Sequence, residues 1–439
     1  MTSEQEKIRR LIVKLVFVIY WLLIFEGAMR KWAFPGMQKA IFFIRDPFVL
    51  AIYWLALKNE LWPRWTPLFK FGIILAIVFI PLAFFQVFIN DYNPLVAIYG
   101  WRMYFWYVPL VFIIGEQFRG KDLARLFRQT LLAVIPIAVL VLMQFRAPPE
   151  AFVNRGTDPE ALVMLSAQNK VRTSGTFTIG AAQGIFIGSA IAMVMSIWLM
   201  PRAFRPMGNV FLLVCTGAVV ACLAVSGSRS AFLHALLCIM AAVASAFLVK
   251  RMQARLRAII RVPLIILAGL LAFVYVFPDA YSVMVERFTG AAAGEGGSHI
   301  RLLHTITDVF ALSDVSVIGR GLGIGSPGAM ALLPPGAGLG MSESELPRIV
   351  SEAGIAGIFY IAFRFWLSFS LLSGAIAAAR NYSNSMPLLV WSFVGLLLIN
   401  GGMTFQGTIN GYGWLFAGFT MAATRMKKDM QPVEPSRGR

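Results

Sequence analysis

Apolar runs of about 20 residues recur along the whole chain, separated by short polar segments that carry most of its charge. A run of that length crosses a hydrocarbon core of ~30 Å as a helix. Twelve spans are predicted, at 11–29, 40–57, 71–90, 95–115, 129–146, 176–200, 208–226, 231–249, 260–278, 354–376, 386–401 and 407–424. The polar stretch 1–10 leads into 11–25 with no small-residue cleavage site, so the first run is expected to stay as a span. Composition agrees: 58% of the 439 residues are hydrophobic and only 14% charged, too few charges to cover a soluble surface. The expected fold class is all-α, a polytopic integral membrane protein in one transmembrane domain, 1–439, without internal repeats.

A net charge of +18 would suit nucleic acid if the basic residues formed a patch, but they sit in short clusters between apolar runs, so no nucleic-acid partner is expected. One set of span ends carries Lys7, Arg9, Arg10, Lys58, Arg64, Lys70, Arg119, Lys121, Arg125, Arg128, Arg202, Arg205, Lys250, Arg251, Arg255, Arg257, Arg261, Arg380, Arg425, Lys427 and Lys428. That face is expected to be cytoplasmic, with both termini, and the partner of the spans is the lipid bilayer. Arg30, Lys31 and Lys39, after the first span, run against the rule. The opposite face carries two long segments, 147–175 and 279–353, which is where function is expected. The second holds an amphipathic helix at 298–312, a Gly/Pro-rich stretch at 319–340 that cannot be regular helix, and a helix at 342–352 leading into the tenth span. Cys215, Cys222 and Cys238 lie inside apolar runs and read as small core residues, with neither metal nor disulfide spacing.

Several arginines fall on the non-cytoplasmic face, against the bias. Arg229 sits in a tight Gly/Ser surround between two spans, Arg172 just precedes the sixth span, and Arg301, Arg320 and Arg348 belong to the long second segment. The guanidinium fork suits bidentate phosphate contacts, and several together would hold a pyrophosphate without a metal. The plainer reading is that each snorkels to headgroups or pairs with a carboxylate. Glu343 and Glu345 are candidate general bases for a sugar hydroxyl. Against this stands helical pairing, Glu345 with Arg348 and Arg348 with Glu352, which leaves Glu343 without a helical partner. Charges in the early spans read as structural: Glu26 with Arg30, and Arg45 beside Asp46. Arg102 has no local partner. His234, His299 and His304 form no metal constellation.

These residues sit in recognisable strings. The segment 226–231 (SGSRSA) resembles the arginine signature of the O-antigen polymerase (Wzy) and O-antigen ligase (WaaL) superfamily. The segment 172–177 (RTSGTF) resembles the arginine–glycine–phenylalanine motif that opens an earlier core span there. The stretch 317–325 (VIGRGLGIG) is similar to the glycine-rich turn of that family's large periplasmic loop, and 346–357 (LPRIVSEAGIAG) to its last helix and the start of the next span. The stretch 26–35 (EGAMRKWAFP) is similar to exopolysaccharide-associated members. The ordered resemblance covers roughly 170–360.

The resemblance implies a GT-C-like fold of about twelve transmembrane helices with a large periplasmic loop, 279–353, containing short helices. It implies a polymerase of undecaprenyl-diphosphate-linked oligosaccharide repeat units at the periplasmic face of the bacterial inner membrane, with no metal and no cofactor. A flippase and a chain-length regulator are the implied protein partners. Pyrophosphate binding maps to Arg172 and Arg229, with Arg301 or Arg320 from the loop. Ligases carry a histidine where alignment on Gly354 places Glu343, which favours a polymerase with Glu343 or Glu345 as base over a ligase. Two alternatives remain. A twelve-span transporter or flippase of a lipid-linked glycan would show a repeat and helices broken at midplane, the latter hinted at only by the Gly-rich stretches 176–190 and 400–413. A polyprenyl-phosphosugar transferase would place acidic residues in a long first outer loop, where this chain has a short basic one. Reporter fusions after Ala151 and Gly296 should be active outside the cytoplasm and one after Arg255 inside; a cytoplasmic Gly296 would put the candidate residues on the wrong face.

Overall fold

The computed structural model describes residues 2–91, 93–157, 170–294, 316–326, 328 and 344–426, and those residues are helical with no strand. The helices are α1 (Ser3–Ala28), α2 (Gln38–Phe42), α3 (Asp46–Lys58), α4 (Pro67–Asn90), α5 (Pro94–Phe105), α6 (Val108–Gln117), α7 (Gly120–Arg146), α8 (Gly180–Leu199), α9 (Asn209–Ala224), α10 (Arg229–Leu248), α11 (Met252–Leu271), α12 (Pro278–Gly294), α13 (Glu345–Ala353), α14 (Ile355–Tyr382), α15 (Met386–Asn400) and α16 (Gly407–Thr424). Nine helical stretches among the described residues are long and apolar enough to cross a membrane. This is the make-up of a multi-pass membrane protein. Of the predicted spans, α9 and α15 are apolar but shorter, and α16 is not among the nine.

Local chemistry sets the helix starts. Thr66 and Asn93 accept hydrogen bonds from the Phe69 and Leu95 amides, and Pro67 and Pro94 occupy the first helical position, where a missing N–H costs nothing. The bundle is inverted relative to a soluble protein at its rim. Val210, Phe247 and Tyr275 are more than 70% exposed, which only lipid tolerates across so many neighbours. At the centre, α8 and α16 are buried on nearly all sides.

Several charges within the spans are neutralised in pairs. Arg45 reaches Glu26 at 3.1 Å, Arg30 stands 3.6 Å from the same carboxylate, and Arg102 clasps Asp46 through two bonds of 2.6 and 2.7 Å. Arg45 thus pairs across helices with Glu26, and Arg102, for which the sequence offered no local partner, takes Asp46. Of the exceptions to the charge rule, Arg30 pairs with Glu26, and Lys31, buried in a π-helical turn ending α1, donates to neutral groups, Ser174 Oγ at 3.0 Å and Gly175 O at 2.8 Å.

All these groups lie at one end of the bundle, as do both glycine-bearing strings. Residues 319–326 form the expected non-helical turn, with Gly319, Gly321 and Gly323 at positive φ. The turn lies so close to α5 that a Cβ on Gly323 would fall 2.6 Å from the Gly100 Cα. Gly354, at φ +60°, separates α13, where a helix was expected at 342–352, from the long span α14, and the Ile355 amide donates to Val317 O. Gln86 of α4 ties the pieces together: its amide donates to Ile318 O (2.6 Å) and Glu352 O (2.7 Å) and accepts from Leu322 N (3.0 Å). Glu352 accepts from the Gly323 and Gly325 amides and the Tyr104 hydroxyl.

Gln86→Ala removes the side-chain partner of Ile318 O and of the Leu322 N–H, each a loss of ~1–3 kcal/mol when buried, and leaves Glu352 O with the Gly321 amide. Its thermal midpoint in detergent should fall by several degrees. Glu352→Gln should fall too, because an amide nitrogen accepts nothing from the glycine N–H groups. Arg320→Ala, exposed on the same turn, should be neutral; equal behaviour of all three would remove the turn's structural role.

Candidate functional site

The strings 172–177 and 226–231 meet at the end of the bundle just described. Gln144 of α7 accepts from the Ser174 and Gly175 amides, and a Cβ on Gly27 would fall 2.5 Å from Thr176 O, so the loop before α8 is clamped between α1 and α7. From this loop Thr173 donates to Val225 O at 3.2 Å, at the end of α9. Ser228, the N-cap of α10, stands close against Gly184 in the first turns of α8. The N-termini of α8 and α10 are therefore neighbours.

Arginines occupy both. Arg229 is the first residue of α10, and the Arg172 side chain lies against Gly180, the first of α8. Arg287, from α12, joins them. Burial pushes the Arg172 guanidinium below its ordinary value, and the charges of Arg287 and Arg229 push it further; Arg287 is lowered by burial and by Arg229. Arg172 Nε and Arg287 Nη1 are buried with no hydrogen-bond partner among the described residues. From Glu160 to Asp279 the chain has no acidic residue, so α8, α9, α10 and α11 bring no carboxylate.

Each of these features is unfavourable for an empty site. A helix N-terminus carries a partial positive charge of about half a unit, which repels cations and attracts anions. Gathering guanidinium groups at two such termini costs energy that an oxyanion with several acceptor oxygens would return.

The other predicted residues go elsewhere. Arg348 and Glu345 are fully buried partners of each other, and Glu345 also accepts from Arg364 Nη1 (2.8 Å) and the Thr404 amide (3.0 Å). Arg348 lies over the Phe405 ring at 4.8 Å, and Arg364 donates to the carbonyls ending α15. This network ties α13 to α14 and the 401–406 turn, the helical pairing that competed with a catalytic role. Arg348 and Glu352 form no ion pair; Glu352 is held by Tyr104 and the glycine amides, and burial raises its carboxyl above the ordinary range against their pull and that of Arg348. Arg320 is exposed, and among the described residues it is engaged through its backbone, with Asn90 and Ser351. Arg301, Glu343, His299 and His304, and the helix expected at 298–312, lie outside the described residues. Arg287 was missed by sequence reasoning. Its only signal is an arginine on the non-cytoplasmic segment, in 285–288 (VERF), where Glu286 suggests an innocuous charge pair.

No family model matches the chain, and no curated protein matches it.

The two kinds of arginine predict opposite responses in the ligand-free protein. Arg172→Ala and Arg287→Ala relieve repulsion and remove unsatisfied donors, so each should leave the thermal midpoint unchanged or raised, as substitutions in strained functional sites often do. Arg348→Ala takes one of two arginines from the buried Glu345 carboxylate, which keeps Arg364 and the Thr404 amide, and should cost ~1.5–3 kcal/mol. A large loss on removing Arg172 or Arg287 would mean that they too are structural.

Proposed function

We propose that this protein polymerises undecaprenyl-diphosphate-linked oligosaccharide repeat units at the periplasmic face of the bacterial inner membrane. The observation that carries the reading is the meeting of Arg172, Arg229 and Arg287 beside the N-termini of α8 and α10, two helices that bring no carboxylate. A lipid diphosphate has the charge and the number of acceptor oxygens such a cluster calls for. The apolar rim of the bundle gives the lipid tail of such a substrate its solvent. The proposal includes twelve crossings, the nine long helical stretches with α9, α15 and α16 added, a GT-C-like arrangement, and cytoplasmic termini.

In the proposed reaction a hydroxyl of one repeat unit attacks the anomeric carbon of another. The bond from that carbon to the diphosphate breaks, and its electron pair leaves on the diphosphate. The arginines stabilise the negative charge that develops there, the electrostatic role that often dominates transfer chemistry. The hydroxyl proton goes to a base. Glu345 is committed to Arg348, Arg364 and the Thr404 amide, which leaves Glu343 as the proposed base, with a carboxylate in the place of a ligase histidine.

Purified protein given a synthetic lipid-linked repeat unit tests this. Arg172→Ala, Arg229→Ala and Arg287→Ala should each make no detectable polymer while accumulating normally. Lysine at these positions should rescue only in part, because it keeps the charge and loses the fork. Glu343→Gln should lose most of the rate. Normal polymer from the three alanine variants would end the diphosphate assignment. A wild-type rate in Glu343→Gln would leave diphosphate departure as the driving step, with no carboxylate base at that position.

A further inference from the structure

A second concentration of arginines surrounds a cavity at the opposite ends of α8 and α10. The 20 residues of α8 separate the two sites by about 30 Å. The cavity holds about 290 Å³, and its polar lining comes from Arg251, Arg257, Asn381, Ser383, Asn384 and Ser385, with the last turn of α8 as one wall. Positively charged residues at span ends are ordinary, and several here have an ordinary task. Arg205 and Arg261 donate to Trp198 O, and Arg255 to Ala246 O, closing the C-terminal turns of α8 and α10.

The cavity residues are different. Arg257 uses only Nε, on Leu199 O at 3.3 Å, and the Arg251 side chain makes no bond to a described residue. Asn384 is 92% buried (8% exposed); its Oδ1 accepts the Met386 amide at the start of α15, while Nδ2 has no partner among the described residues. A buried donor without an acceptor is rare in folded proteins. The N-termini of α11 and α15 both open at this cavity. The chain carries no acidic residue from Glu160 to Asp279, nor again from Glu352 to Asp429, so none of the walls supplies a carboxylate. Arg205 beside the cavity is pushed down to about 10, by burial and then by Arg261, Arg202 and Arg257.

We propose that this cavity is a binding site for a phosphate-bearing ligand, either the headgroup of an anionic phospholipid or a small soluble phosphate ester. Arg251 and Arg257 supply charge, two helix N-termini supply dipoles, and Asn384 Nδ2 supplies the donor that waits for an oxygen. The site does not depend on the reaction proposed above, and lies on the opposite side of the bundle from it.

The test uses the full chain carrying Arg172→Ala and Arg287→Ala, so that the other cluster does not contribute, purified in an uncharged detergent. Inorganic phosphate, phosphatidylglycerol and phosphatidylcholine are added separately while thermal unfolding is followed. A rise of several degrees with phosphatidylglycerol alone identifies a headgroup site, and a rise with phosphate as well identifies a site open to soluble esters. Arg257→Ala should abolish the rise. Asn384→Asp keeps the oxygen that caps α15 and replaces the waiting donor by an anion, so the ligand-free midpoint should hold or increase while the response disappears. No response to phosphate or phosphatidylglycerol, an equal response to phosphatidylcholine, or a response that survives Asn384→Asp overturns the proposal.

Discussion

Burying a charge in a membrane-spanning bundle is so costly that each acidic side chain there must be matched, and this matching organises the end of the protein where its motifs meet. Glu26 takes Arg45 and Arg30, Asp46 takes Arg102, and Glu345 takes Arg348 and Arg364. These pairs join α1 to α3, α3 to α5, and α13 to α14. The carboxylates of Glu26, Asp46 and Glu345 are spent on these pairs and do not also neutralise Arg172 and Arg287. The excess of positive charge is therefore a consequence of how the rest of the bundle is balanced. The same matching separates arginines that hold the fold from Arg172 and Arg287, whose buried Nε and Nη1 have no partner among the described residues, which their residue type alone cannot do.

Backbone groups solve a related problem beside these pairs. A turn with glycines at 319, 321, 323 and 325 exposes amides and carbonyls where water is scarce, and each needs a partner. Gln86 and Glu352 provide them, and the glycines allow the turn to lie directly on Gly100 and Gly354. The result anchors the long segment between α12 and α14 close to the spans. Residues 316–326 and the helix beginning at Glu345 are both held against the spans in this way.

Much of this was legible in the sequence. Every predicted span is helical in the structure, since apolar runs of that length have few alternatives in lipid. The glycine turn and the helix after it were legible because glycine density and charge spacing are local signals. Partnerships between distant helices were not. Nothing near Arg102 announces Asp46, 56 positions away, and Arg45 looks paired with its neighbour until the fold brings Glu26 to it. Arg287 was hidden for the same reason: its value lies in the company of Arg172 and Arg229, which only folding assembles. Conversely Arg348 and Glu345 looked available because Arg364 and the 401–406 turn, which close around them, come from beyond the motif.

The acid-free stretch between Glu160 and Asp279 gives the two arginine clusters a common origin. Helices α8 and α10 run in the same direction, so their N-termini share one end and their C-termini the other. At the C-terminal end a cation is favoured by the helix dipole, and Arg205, Arg255 and Arg261 settle on open carbonyls there. At the N-terminal end the dipole opposes a cation, and neither Arg172 nor Arg229 gains from the helix it adjoins. The same residue type, on the same pair of helices, is thus stabilising at one end and destabilising at the other until an anion arrives. A guanidinium whose buried Nε has no partner among the described residues, kept where a helix N-terminus and neighbouring arginines disfavour it, is the physical ground for looking for an anion at Arg172.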